Sequence, residues 1–287
     1  MAAPLSGRRL SAHRRAPASQ RGFALVTVLW AAMILAVIAA SIIATGRTET
    51  RLAHTRYASA QLDAVADGAI NIAILRMLDP SSTAHPPVDA TPFTIEFAGH
   101  AVAMTAQDES GKVDINMAQE GLLRRLLVTV GVDGLAAQAL TDKILDWREA
   151  AIGRRLNGAK AEDYRDAGFA YGPRNGPFES VDELQLVMGM NAPLFERIAP
   201  SLTIYSQTPW VDPAFAPIDV LAALAGLGAP SVADTLNARS IGKHNAIMFG
   251  HAFTISARID DGLRVAKSAI IRLTGSPQTP VVVYRWR

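Results

Sequence analysis

Residues able to do chemistry are present in this chain, but they are scattered. The six histidines (His13, His54, His85, His100, His244 and His251) never adopt the H-E-x-x-H spacing that puts two imidazoles on one helix face for zinc, so they read as solvated or locally bonded side chains. Gly226-Leu227-Gly228 begins like a dinucleotide loop, but Ser231 stands where the third glycine belongs and the run follows a helical pattern. No G-x-S-x-G elbow and no Walker sequence occurs. The absence of cysteine removes thiol nucleophiles, disulfides and cysteine-metal clusters. No coherent set of nucleophile, base and metal emerges.

The elements that would carry any function are clearer. The 287 residues leave room for about two compact units. A formal charge of +2 with 49% apolar residues excludes wholesale disorder and a polybasic nucleic-acid protein. The charge is unevenly placed: Arg8, Arg9, Arg14, Arg15 and Arg21 all precede the first acid, Glu49. Directly after them Phe23 to Ala44 (FALVTVLWAAMILAVIAASIIA) contains no charge and only Thr27 and Ser41 as polar residues. As a helix this run is about 33 Å long, enough to cross a hydrocarbon core of about 30 Å. A buried core helix seldom runs so far without a charge, and a secretory signal peptide has a shorter apolar stretch. A membrane anchor is therefore expected, with the arginine side cytoplasmic and the remainder exported.

Beyond the anchor, Leu62, Val65, Ala69, Ile72 and Ala73 keep helical spacing up to about Leu78, and Asp79-Pro80 ends the helix. The alternating FTIEF of Phe93 to Phe97 predicts a hairpin with Ala101 to Thr105 across Gly99-His100. Ala252 to Ile259 and Leu263 to Leu273 flank a turn at Asp261-Gly262, and Pro280 to Trp286 supplies a last strand. Early and late strands together predict one antiparallel sheet on the first helix. The region between is helical and internally repeated. Val113-Asp114, Ala118, Leu122, Leu123 and Leu126 match Val211-Asp212, Ala216, Val220, Leu221 and Leu224 at an offset of 98, with following helices that end near Arg148 and Arg239. Between the repeats, Ser180 and Glu183 predict a capping box for a helix reaching Gly189, followed by another helix from Pro193.

Around the anchor, the leader, Gly22, Phe23 and the apolar helix resemble the type IV pilin-like signal. That resemblance implies cleavage between Gly22 and Phe23 by a prepilin peptidase and N-methylation of Phe23. At the fifth mature position, where most such proteins have glutamate, this chain has Thr27, which suits a subunit with no neighbour above it. With Val113-Asp114-Ile115-Asn116, Ile144 to Arg148, Gly158 to Tyr164, Pro177 to Leu184 and Ile198 to Thr203 added, essentially the full length resembles the K-type minor pseudopilins of type II secretion.

The resemblance implies an α+β fold: a type IV pilin-like long N-terminal helix on an antiparallel sheet, with a large helical insertion containing helix-hairpin-helix-like repeats. The expected division is leader 1–22, transmembrane and filament-core helix 23–46, body 47–115 with 241–287, and insertion 116–240. The implied role is noncatalytic, at the tip of a periplasmic pseudopilus, initiating its assembly and supporting export of folded proteins. Implied partners are I-type and J-type minor pseudopilins, the major pseudopilin, the prepilin peptidase and the inner membrane. Thr27 and the small Ala31, Ala32, Ala36, Ala39 and Ala40 are the expected packing positions; a lipid-facing anchor is the competing reading of the alanines.

Relatives of this type carry calcium near the stretch corresponding to Asp146 to Asp163, which makes Glu149, Glu162 and Asp163 candidate ligands for a structural ion. Ala151 stands where an acid would be expected and Arg154-Arg155 adds repulsive charge, so a solvated loop competes with a calcium site. The alternative function is a membrane-anchored helix-hairpin-helix protein for DNA binding or uptake. The hairpins lack the basic residues that phosphate binding needs, so no nucleic acid is expected.

Overall fold

In the computed structural model the described residues are 21–79, 85–150, 153–241 and 247–287. The basic leader before Arg21, Pro80 with the next four linker residues, Ala151 and His244 lie outside them. The chain divides into two units, one ending at Ala58 and one spanning Ser59–Arg287. Helix α1 covers Arg21–Leu78.

In the first unit, Phe23–Ile42 is a 20-residue apolar span with its side chains exposed. At about 1.5 Å per residue it matches a hydrocarbon core of about 30 Å. Its two polar side chains are satisfied within the helix: Thr27 Oγ1 reaches the carbonyls of Ala24 (2.9 Å) and Phe23 (3.2 Å), and Ser41 Oγ donates to Ile38 O (2.7 Å). A segment in lipid must meet its polar needs internally, and this one does.

In the second unit, residues 59–78 of α1 bury Val65, Ala66, Ala69, Ile70, Ala73 and Met77 against a five-stranded antiparallel sheet. Strands β1 (Phe93–Phe97) and β2 (His100–Asp108) form a hairpin whose turn is Ala98-Gly99, one residue earlier than the sequence spacing predicts. Both turn residues have positive φ, the geometry that matches strand twist in two-residue hairpins. Strand β2 also runs beyond Thr105, because its last residues pair with a strand from the far end of the chain.

Between β2 and its partner lie β3 (Val113–Asp114), α2 (Glu120–Thr129), α3 (Gly134–Arg148), α4 (Ala161–Asp166), α5 (Ala192–Ile198), β4 (Leu202–Thr203), α6 (Ile218–Ala225) and α7 (Val232–Ile241). The sheet then closes with β5 (Ala252–Asp261), β6 (Leu263–Leu273) and β7 (Val281–Trp286), in the order β1-β2-β5-β6-β7. The intervening helices have a core of their own, including Leu123, Leu126, Ile144, Tyr164, Leu184 and Val220, separate from that of the sheet. Where the chain leaves and rejoins the sheet, buried Asp108 pairs with His251 (2.8 Å) and buried Glu109 accepts from Thr254 Oγ1 (2.7 Å).

The helix expected from Ser180 to Gly189 is instead a 3-10 helix over Val181–Leu186. Ser180 Oγ accepts from Glu183 N (3.3 Å), as expected. The return half of the capping box is missing. Glu183 is drawn to Arg174 Nε (2.6 Å) and Trp147 Nε1 (2.9 Å), and its other oxygen accepts from Glu179 N rather than from the Ser180 amide.

Candidate functional site: the apolar helix and the insertion

Helical geometry sorts the expected packing positions of α1. Ala32, Ala36, Ala39 and Ala40 follow the i, i+4, i+7, i+8 spacing of one face, and all are exposed. Thr27 and Ala31 share a different face. The bulky Trp30, Met33, Ile34, Val37 and Ile38 form a stripe that runs from the edge of the alanine face, at Met33, to the side of Thr27 and Ala31, at Ile34 and Ile38. The residues named for packing are thus divided between two faces. Gly22 and Phe23 lie in the first turn of the described helix, with Phe23 exposed.

In the insertion, the separate sequence motifs converge on one hydrogen-bond network. Buried Asp114 accepts from Asn116 N (2.9 Å) through one oxygen and from Gln207 N (2.8 Å) through the other. This holds β3 parallel to β4, with Val113 opposite Leu202. Asn116 binds the backbone of Phe178 reciprocally, at 2.7 Å as acceptor and 3.0 Å as donor. Arg148 donates to the carbonyls of Ile115 (2.6 Å) and Ala118 (2.9 Å), and burial pushes its pKa down. Trp147 stacks on Phe178 at 6.2 Å and lies 5.8 Å from Tyr164. Burial raises the Tyr164 phenol to about 12, so the hydroxyl stays protonated while it accepts from Met188 N (2.9 Å). Burial alone would raise Glu183 too, but the hydrogen bond from Arg174 leads several that outweigh it and keep the carboxylate ionised.

The 98-residue offset is visible in these bonds. Asp212 accepts from Ala214 N (2.8 Å) as Asp114 does from Asn116 N. Arg239 donates to the carbonyls of Pro213 and Ala216, each 98 positions after the acceptors of Arg148. Around the second helix pair an open apolar groove of about 430 Å³ remains, lined by Leu221, Leu224, Pro230 and Ala238.

Glu149, Glu162 and Asp163 do not converge as ligands. Both Glu149 oxygens accept from Arg155 Nη2 (3.0 and 2.9 Å). Asp163 accepts from Arg154 Nη1 (2.5 Å) and from Lys160 N (2.8 Å), while Glu162 is exposed in the first turn of α4. Among the described residues no group of three His, Cys, Asp or Glu side chains is placed to hold a metal. Sequence reasoning missed the roles of Asp142 and Asp146. Asp142 accepts from Asn157 N and Nδ2, both at 3.1 Å, and Asp146 accepts from Arg155 N (3.1 Å). The available signal was Gly158: a Cβ there would lie 1.8 Å from Asp146 Oδ2, so the motif needs glycine for close approach. Of the histidines, His85 bonds Asp79 O, His100 pairs with Asp261 and His251 with Asp108.

A helix-backed antiparallel sheet interrupted by a helical insertion, with an apolar N-terminal helix earlier in the chain, defines an α+β fold. Residues 101–207 match the family model for type II secretion system (T2SS), protein K. The type II secretion system protein K of Klebsiella pneumoniae is 36% identical over 101 residues, 35% of this chain and 30% of that protein. That of Pseudomonas aeruginosa is 25% identical over 247 residues, 77% of this chain and 72% of that protein. The chain thus spans under a third of the Klebsiella protein's length. Among solved structures, a chain of the GspK-GspI-GspJ complex from the enterotoxigenic Escherichia coli type 2 secretion system matches with a TM-score of 0.58. The match has 14% identity and covers 83% of this chain and 98% of that one. Over these stretches the chain is similar to type II secretion system protein K.

Proposed function

We propose that this protein is a minor pseudopilin at the tip of a type II secretion pseudopilus, where it initiates assembly and supports export of folded proteins. The observation that carries the reading is the insertion itself, with its own core, placed between two neighbouring strands of a pilin-like sheet. A body of that bulk repeated along a tightly stacked filament would clash with its neighbours, whereas one copy at the end would not.

On this reading the prepilin peptidase cuts between Gly22 and Phe23 and Phe23 is methylated, with the leader cytoplasmic and residues beyond the span periplasmic. I-type and J-type minor pseudopilins are its direct partners, by analogy with the GspK-GspI-GspJ complex, and the major pseudopilin follows below. Thr27, bonded within its own helix, demands no charged neighbour. The alanine face offers close approach to partner helices.

The DNA-uptake alternative fares poorly on electrostatics. At the hairpin before α3, Asp133 Oδ2 already accepts from Leu135 N (3.0 Å), so a carboxylate stands where a phosphate would bind. The test is co-purification of the full chain from detergent-solubilised membranes with its I-type and J-type counterparts. Recovery of a stable complex supports the reading. Recovery of the chain alone, together with salt-sensitive DNA binding, would replace it with the alternative.

A further inference from the structure

The resemblance places calcium in the loop after α3, but the groups assembled there are those of a site already filled by cations of the chain itself. We propose that Lys160 is a tethered cation that orders this loop in place of a divalent ion, making the insertion independent of metal. The inference goes beyond the proposed function and does not depend on it.

Lys160 Nζ lies 2.7 Å from Asp146 O, 2.9 Å from Glu149 O and 3.4 Å from Asn175 Oδ1. An ammonium has three N–H donors, and three oxygens receive them. Two of those oxygens are carbonyls at the C-terminus of α3, where the helix dipole is negative and the last carbonyls lack partners within the helix. The third belongs to Asn175, whose N–H donates to Trp147 O (2.9 Å), so the same contact ties the far end of the loop to the helix.

The carboxylates a divalent ion would need are engaged elsewhere. Arg155 takes Glu149, and Arg154 with the Lys160 amide takes Asp163. Calcium requires six to eight oxygens at about 2.3–2.6 Å. Here it would meet three cationic side chains and few uncommitted oxygens. A covalently attached ammonium also cannot be removed by a chelator or diluted away.

The experiment is thermal unfolding of the full chain in detergent, followed by tryptophan fluorescence, in EGTA and in millimolar calcium. Wild-type Tm is expected to be the same in both. Lys160→Met should lower Tm by about 4–8 °C in both conditions, because charge-assisted hydrogen bonds to carbonyls are lost. Lys160→Arg, which keeps the charge, should recover part of the loss. A wild-type Tm that rises by several degrees with saturating calcium would overturn the proposal, as would a Lys160→Met variant as stable as wild type. If Lys160→Met does not fold, calcium titration of the wild-type protein decides alone: absence of a saturable response supports the tethered cation, and a saturable response refutes it.

Discussion

The two helix pairs of the insertion share a frame and differ in what covers it. In the first, Asp114 and Arg148 organise the segment before α2, and Phe178, Tyr164 and Lys160 pack on the end of α3. In the second, Asp212 and Arg239 make the equivalent bonds, but the position corresponding to buried Trp147 is exposed Ala238 and the groove beside it stays open. The frame is thus held by local aspartate and arginine bonds to backbone. Burial is added by a cover that, among the described residues, only the first pair has.

The largest difference is expected at matched leucines. Leu145 and Leu236 each stand three residues before the arginine, the first 2% and the second 40% exposed. Leu145→Ala should cost about 2–4 kcal/mol and Leu236→Ala under about 1 kcal/mol, measured by denaturant or thermal unfolding of the full chain. Equal losses would break the comparison. The arginines sharpen it: Arg148→Met should cost about 3 kcal/mol by leaving two carbonyls under the cover without partners, and Arg239→Met about 1 kcal/mol, because one of its two acceptors, Pro213 O, belongs to an exposed residue. If both leave stability unchanged, the shared frame is not what holds either pair.

A smaller effect belongs to the junction where the insertion leaves the sheet. The hydrogen bond to Asp108 raises the His251 pKa above its ordinary value of about 6.5, against the opposing effect of burial. A raised folded-state pKa means the imidazolium form stabilises the fold. That contribution is full below about pH 6.5 and is lost as pH rises through the higher folded-state value. Stability should therefore decline modestly over that interval in wild type and less so in His251→Gln. An identical slope in both proteins would remove His251 from the account.

How much of this was legible in the sequence follows from the range of the interactions. The apolar span, the helix after it and the strand runs near both ends were readable because alternation or helical spacing is a local pattern. The repeat was readable because its apolar positions recur at a fixed offset. The parallel pairing of Val113-Asp114 with Leu202-Thr203 was not, since two-residue strands carry no periodicity and are held by Asp114 reaching Gln207. The 3-10 form of Val181–Leu186 was likewise hidden, because Arg174 and Trp147 take Glu183 from the cap. Glu149 and Asp163 looked like ligands, but their arginine partners are set by the folded loop.

The central claim is that the chain is processed and assembled as a pseudopilin, and the amino terminus tests it most directly. Intact-mass measurement and amino-terminal sequencing would be made on protein recovered from membranes with and without a prepilin peptidase. The account predicts a chain beginning at methylated Phe23 only when the peptidase is present. An uncut chain under both conditions, or one cut beyond Ala44, would contradict it.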